Sequence, residues 1–166
     1  MKRTKLINDP AELVALFRSV DSPDRRAVLA RLAEGWTPTS ELQEMFGEKA
    51  FGAITYFEKF KLVESRWEVR DGKPEKAYRT FYNAFQISTS LTFEETEQLL
   101  TVVLLTPGEF DEIEEKIGKM VGDEGRFAND IARELELTTL QLKGLVRRSV
   151  KFDFRGHNIV PIREEK

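Results

Sequence analysis

The sequence predicts a mainly α protein with small β-hairpins, an α+β chain, and three observations carry that prediction. Helix starts are marked by Ser, Thr, Asn or Asp caps, several followed at once by proline. Two stretches rich in β-branched and aromatic residues each surround a glycine-containing turn. The order of helices followed by a hairpin then occurs a second time, so the chain reads as two winged helix-turn-helix units joined by a helical segment.

The elements follow in order. Asn8-Asp9-Pro10 precedes a helix over Ala11–Val20, with proline at its start. Ser22-Pro23 opens Asp24–Glu34, which Gly35 ends, and Thr37-Pro38 opens a short third helix to near Gly47. A fourth covers Lys49–Lys61, with Ala50, Ile54 and Phe57 at helical spacing. Leu62–Val69 and Lys76–Tyr82 then read as strands. Arg70 to Glu75 lies between them, a hairpin loop longer than the two-residue minimum. Thr92-x-x-Glu95 opens a helix to about Leu105, and Thr106-Pro107-x-Glu109 another to about Val121. Arg126–Leu135 is helical, and Thr138-x-x-Gln141 opens the next helix to about Val150. Phe152–Phe154 and Asn158–Ile162 flank Arg155-Gly156-His157 as a second hairpin. The domains expected are residues 8–85, a linking and dimerising helical segment over 86–121, and residues 122–163 with a short wing.

Composition narrows the chemistry. Forty per cent apolar and 33% charged residues describe a soluble globular chain. No apolar run approaches the roughly 20 residues that span a bilayer, and no signal-peptide core follows Met1, so the expected location is the cytoplasm, with no membrane partner. Zero cysteines and one histidine, His157, leave no thiol nucleophile, no Cys-based zinc site and no histidine pair. No glycine-rich phosphate loop or convincing acid pair stands out either. The expectation is no enzyme, no cofactor and no metal. The net charge of -3 hides segregation: residues 91–138 hold four basic and thirteen acidic side chains, residues 139–163 six basic and one acidic. A local basic surface is therefore compatible with an acidic total.

The strongest local signal lies in the second half. Ile131, Ala132, Leu135, Leu137, Leu142 and Leu145 have the spacing of two helices packed around a tight turn, with Ala132 as the small residue at the crossing and Glu136 where glycine is common. The outward stripe is then Thr139, Lys143, Gly144 and Arg147, flanked by Arg148, Lys151 and Arg155. Such a stripe suits a major groove, where Lys and Arg meet phosphates and guanine edges. In the first half the corresponding stripe is Lys49, Gly52, Thr55, Tyr56 and Lys59. The hairpin after it displays Arg66, Arg70, Lys73, Lys76 and Arg79, interleaved with Glu64, Glu68 and Glu75. Gly52 and Gly144 admit two readings, close approach of helix backbone to DNA or close helix–helix packing. The twelve phenylalanines with Trp36 and Trp67 are assigned mainly to two small cores, while Phe81, Tyr82 and Phe85 suit a dimer interface. His157 is expected exposed in its turn, and the acids of Glu109–Glu115 scatter around a solvated helix.

Ile54 to Val63, followed by Glu64-Ser65-Arg66 and the basic hairpin to Tyr78, resembles the recognition-helix-to-wing passage of ArsR-type regulators. Val121-Gly122-Asp123-Glu124-Gly125-Arg126-Phe127, running on to Arg155-Gly156-His157, is similar to archaeal members with a second, C-terminal helix-turn-helix. The resemblance implies a homodimeric regulator of transcription on double-stranded DNA, with any small-molecule effector unspecified. The chain departs from it in a shorter turn between Gly47 and Ile54, and in lacking the metal-sensing cysteines and histidines, so metal sensing does not carry over. The competing function is a winged-helix protein-interaction module, with the acidic segment 91–138 as its docking surface. Which of the two units reads DNA stays open.

Overall fold

The computed structural model describes residues 3–163. The chain divides into two compact units, one taking Leu16–Ser88 with the strand before Asn8, the other Asn8–Ala15 with the residues from Thr89 onward. Mixed α+β architecture holds in both, with small antiparallel sheets.

In chain order the first part gives β1 (Thr4–Ile7), α1 (Glu12–Ser19), α2 (Pro23–Glu34), β2 (Thr37–Pro38), α3 (Thr39–Phe46), α4 (Lys49–Lys59), β3 (Val63–Arg70), β4 (Lys73–Thr80) and β5 (Ala84–Ile87). Ser22 caps α2: its Oγ accepts the Arg25 N–H at 3.2 Å, with Pro23 at the first helical position. Gly47 ends α3 at φ +66°, its N–H bonded to the Gln43 carbonyl at 2.9 Å, and α4 begins two residues later. Thr37-Pro38 leads into α3 as expected, with Pro38 at the N-cap, and also forms a short strand on Tyr78 and Ala77, so β4 lies between β2 and β3.

The hairpin loop is tighter than expected. Arg70 pairs with Lys73, leaving only Asp71 (φ +51°) and Gly72 (φ +76°) in the turn. Positive φ at both positions makes a primed turn, whose twist matches that of the strands, and Asp-Gly suits it. Pro74 opposes Val69 one step from the closing pair. That is a position whose N–H points away from the partner strand, so proline costs no ladder bond there. The β1–β5 pair has no counterpart in the sequence expectation. These four-residue strands lie parallel, Thr4 opposite Ala84 through Ile7 opposite Ile87.

The second part gives α5 (Phe93–Val103), α6 (Pro107–Val121), β6 (Arg126–Phe127), α7 (Ala128–Glu134), α8 (Thr139–Arg148), β7 (Phe152–Arg155) and β8 (Asn158–Pro161). This repeats the order of α1 through β4, including a two-residue strand before the third helix and a sheet whose central strand is the last. Capping boxes fix the starts of α6 and α8, at Thr106 with Glu109 and at Thr138 with Gln141. Glu136 occupies the α7–α8 turn at φ +54°, a conformation that explains why glycine is common at such a place. Gly125 is required: at φ +89°, an added Cβ would fall 2.7 Å from Val160 Cγ1 and 2.8 Å from the Ile159 carbonyl oxygen.

The core of the second unit joins Val14, Leu99, Val102, Ile117, Val121, Ile131, Leu142, Leu145, Phe152 and Ile159. Helices α5 and α6, expected in a separate linking segment, contribute to the same core as α7 and α8. Burial of that many apolar side chains, each contributing about 1.5–3 kcal/mol, fixes the orientation of α8 about its own axis. Among the described residues no helix is long and apolar enough to cross a membrane.

Candidate nucleic-acid interface

On α4, Ala50, Ala53, Ile54, Tyr56 and Phe57 face the core, leaving Lys49, Gly52 and Thr55 exposed and Lys59 half-buried. Tyr56 is therefore a correction. Its ring is 1% exposed and lies under the Arg25 guanidinium, 4.5 Å from the ring centroid, so it cannot belong to an outward stripe. Burial comes first among the causes that depress the pKa of Arg25. Lys49 pairs with Asp24 at 3.0 Å, and the Thr55 hydroxyl donates to the Phe51 carbonyl at 2.9 Å. Exposed Glu48 and Glu58 interrupt this surface, two carboxylates absent from the predicted stripe. A Cβ added at Gly52 would meet open space, so packing within the protein does not explain that glycine.

Strand alternation divides the hairpin residues between two faces. Glu64, Arg66, Glu68 and Arg70 share one face of β3, opposite Arg79, Ala77, Glu75 and Lys73. Arg66 and Arg79 both stack on Trp36, at 4.2 and 4.5 Å from its ring. Arg66 also pairs with Glu68, and Arg79 with Glu64 at 2.6 Å. These two arginines are committed to the fold, whereas Arg70 and Lys73 stand exposed at the turn. The opposite face carries Trp67, 68% exposed with Lys76 Nζ 5.7 Å from its ring, and exposed Val69. A core place for Trp67 is thus a second correction: the strand period puts it outside. Tyr78, on that same face, has its hydroxyl pKa raised first by burial and then by Glu58.

On α8 the exposed arc is narrower than the predicted one. Thr139, Lys143 and Arg147 sit at i, i+4 and i+8, exposed or half-buried. Gly144 is buried, and a Cβ there would lie 3.3 Å from Val14 and 3.4 Å from Val102. Its missing side chain lets α8 approach α1 and α5, the close-packing reading of the two. Arg148, predicted at the stripe's flank, is 5% exposed: its guanidinium donates to the Val102 and Leu105 carbonyls, both at 2.9 Å, and covers the Phe110 ring at 4.4 Å. It satisfies carbonyls at the end of α5 instead of facing solvent. Lys151 is exposed but bonded through Nζ to buried Glu114 at 2.6 Å, which first raises its pKa through that hydrogen bond. Ser149 Oγ donates to the same carboxylate at 2.6 Å. Arg155 stands exposed beside the β7–β8 turn, as does His157.

The second unit also holds a cavity of about 400 Å3 that the sequence does not announce. Thr139, Lys143 and Arg147 of α8 line it together with buried Leu142. Cavity lining joins residues far apart in the chain, from Asp9 to His157, and no local motif signals that. Among the described residues no three His, Asp or Glu side chains are grouped to hold a metal ion.

A family profile described as ArsR transcriptional regulator matches residues 7–163. No curated protein matches the chain.

Proposed function

The chain belongs to the ArsR family of transcriptional regulators, which are DNA-binding, and from that premise we propose that it reads double-stranded DNA sequence-specifically as a homodimer in the cytoplasm. The observation carrying this reading is the α8 arc. Thr139, Lys143 and Arg147 form one polar line with no carboxylate among them, beside exposed Arg155. A line of two cations and a hydroxyl on a helix of this length matches the donor pattern that major-groove edges and flanking phosphates accept. Lys143 and Arg147 carry base preference in this reading, and Arg155 holds phosphate. Exposed Arg70 and Lys73 at the other hairpin tip add phosphate contacts, while Lys49, Gly52, Thr55 and Lys59 form a weaker stripe crossed by Glu58.

The homodimer is supported by α5. Phe93, Leu100 and Leu104 are 99, 50 and 72% exposed and fall within an arc of about 40° around the helix. Three large apolar side chains in one row exceed what a solvated helix face needs. In this reading the segment 86–121 serves both as core of the second unit and as dimer face. A protein-interaction module uses the same row to bind a different chain.

Selection of bound duplexes from a random pool, run at two salt concentrations, tests the proposal. An enriched, two-fold symmetric motif with affinity falling steeply in salt is expected. No enrichment, together with capture of the α5 row by another protein, overturns it in favour of the interaction module.

A further inference from the structure

We propose that the cavity in the second unit binds a small aromatic monoanion, and that this ligand and DNA exclude one another at α8. Nothing in the family match assigns this cavity. Its volume of about 400 Å3 lies within the range of small-molecule sites, roughly 300–1,000 Å3.

The lining has the chemistry of a site for an amphipathic ligand. Leu142, 1% exposed, forms the floor, and half-buried Phe154 a wall. Phe127 and His157 stand edge to face at the rim, centroids 6.5 Å apart. Flat aromatic bodies are what such rings accept, by stacking or by edge contact. Nothing on this floor can serve a phosphate or a base edge, because Leu142 and Phe154 offer no side-chain donor. A surface built only to lie in a groove has no need of an apolar recess beneath its reading helix.

Charge sets the ligand's sign. Lys143 and Arg147 enter from α8, and Asp9 is the one carboxylate in the lining. Two cations against one carboxylate leave an excess of one positive charge. Asp9 Oδ1 already accepts the Ala11 N–H at 3.0 Å, where it caps the turn into α1. Lys143 has no ion-pair partner among the described residues, whereas Arg147 is paired with Asp153 at 3.9 Å. A carboxylate placed at Lys143, on the side of Arg147, with its ring over Leu142, meets the unpaired ammonium and the apolar lining at once.

Exclusion follows from shared groups and rests on the DNA reading given above. Lys143 and Arg147 are the two cations of the α8 arc, so an anion held by them removes the charges DNA would meet.

The test separates the two parts. Benzoate, 2-naphthoate and indole-3-acetate, each with its neutral amide, are titrated into the full chain without DNA and followed by saturation-transfer NMR. At least one carboxylate should bind with Kd below about 1 mM, its amide about tenfold or more weaker. Lys143→Gln should remove most of that preference. Asn129→Trp, at an exposed lining position, should weaken binding about tenfold by filling the mouth, with melting temperature unchanged. Failure of all three carboxylates, equal binding of acid and amide, or indifference to both substitutions overturns the site. A probe that binds should then displace a selected duplex. Binding without displacement upholds the cavity and overturns α8 as the DNA-reading helix.

Discussion

Arg148→Ala separates a structural arginine from its chain neighbour Arg147, the one proposed to read DNA. The Arg148 guanidinium donates to two carbonyls at 2.9 Å and covers Phe110 at 4.4 Å. Hydrogen bonds to a charged group contribute about 1.5–3 kcal/mol each, and the ring interaction about 0.5–2 kcal/mol. These contributions share one group and do not add fully, so the expected loss is about 3–5 kcal/mol. For a unit of this size that corresponds to a fall in melting temperature of about 12 °C or more. Trp36 and Trp67 both lie in the first unit, so tryptophan fluorescence follows that unit, while far-UV circular dichroism follows both. The dichroism transition should move well before the fluorescence one. Lys143→Ala, at a half-buried position without an ion-pair partner among the described residues, should shift stability by about 0.5 kcal/mol or less. An Arg148→Ala protein that melts within about 2 °C of the parent but loses DNA affinity would refute the assignment.

Three further outcomes follow from the same geometry. Gly144→Leu should destabilise the second unit by about 2 kcal/mol or more in urea unfolding, because even a Cβ there meets Val14 and Val102 at 3.3 and 3.4 Å. Gly52→Ala should do the reverse, stabilising α4 by about 0.5–1 kcal/mol, since its Cβ enters open space; a fall in DNA affinity in the same variant would place DNA against that backbone. The Lys151 ammonium, held protonated by Glu114, should give an alkaline dependence of stability: its folded pKa is raised, so its contribution is complete below the ordinary lysine value of about 10.4 and is lost as pH rises through the folded value. Melting temperatures across that range should fall less steeply in Lys151→Met than in the parent.

Local signals were the legible ones. Ser22-Pro23, Thr106 with Glu109 and Thr138 with Gln141 begin helices where the sequence says, because a cap and its N–H partner lie within three residues. The repeated order of elements was legible for the same reason. Phase was harder. The period of α8 identifies a stripe but does not settle its width, and the helix is covered on more sides than a surface helix, so Gly144 and Arg148 turned inward. Tyr56 failed similarly, since an aromatic ring with a hydroxyl suits either surface or core. Strand β1 escaped because its partner is some 80 residues away and four residues carry no periodicity. The hairpin loop was overestimated because Lys73-Pro74-Glu75 looks like loop, while pairing at Pro74 depends on which edge its missing N–H faces.

The central claim, that α8 reads duplex DNA, is tested most directly by measuring affinity for a selected duplex against salt concentration in the parent, Lys143→Ala and Arg70→Ala/Lys73→Ala proteins. The account predicts a steep salt dependence in the parent and a slope reduced by about one for each phosphate that the altered hairpin tip no longer neutralises. Lys143→Ala should lose about 1–3 kcal/mol against the selected sequence and much less against an unrelated one. Equal affinity of parent and Lys143→Ala for both duplexes at every salt concentration would contradict it.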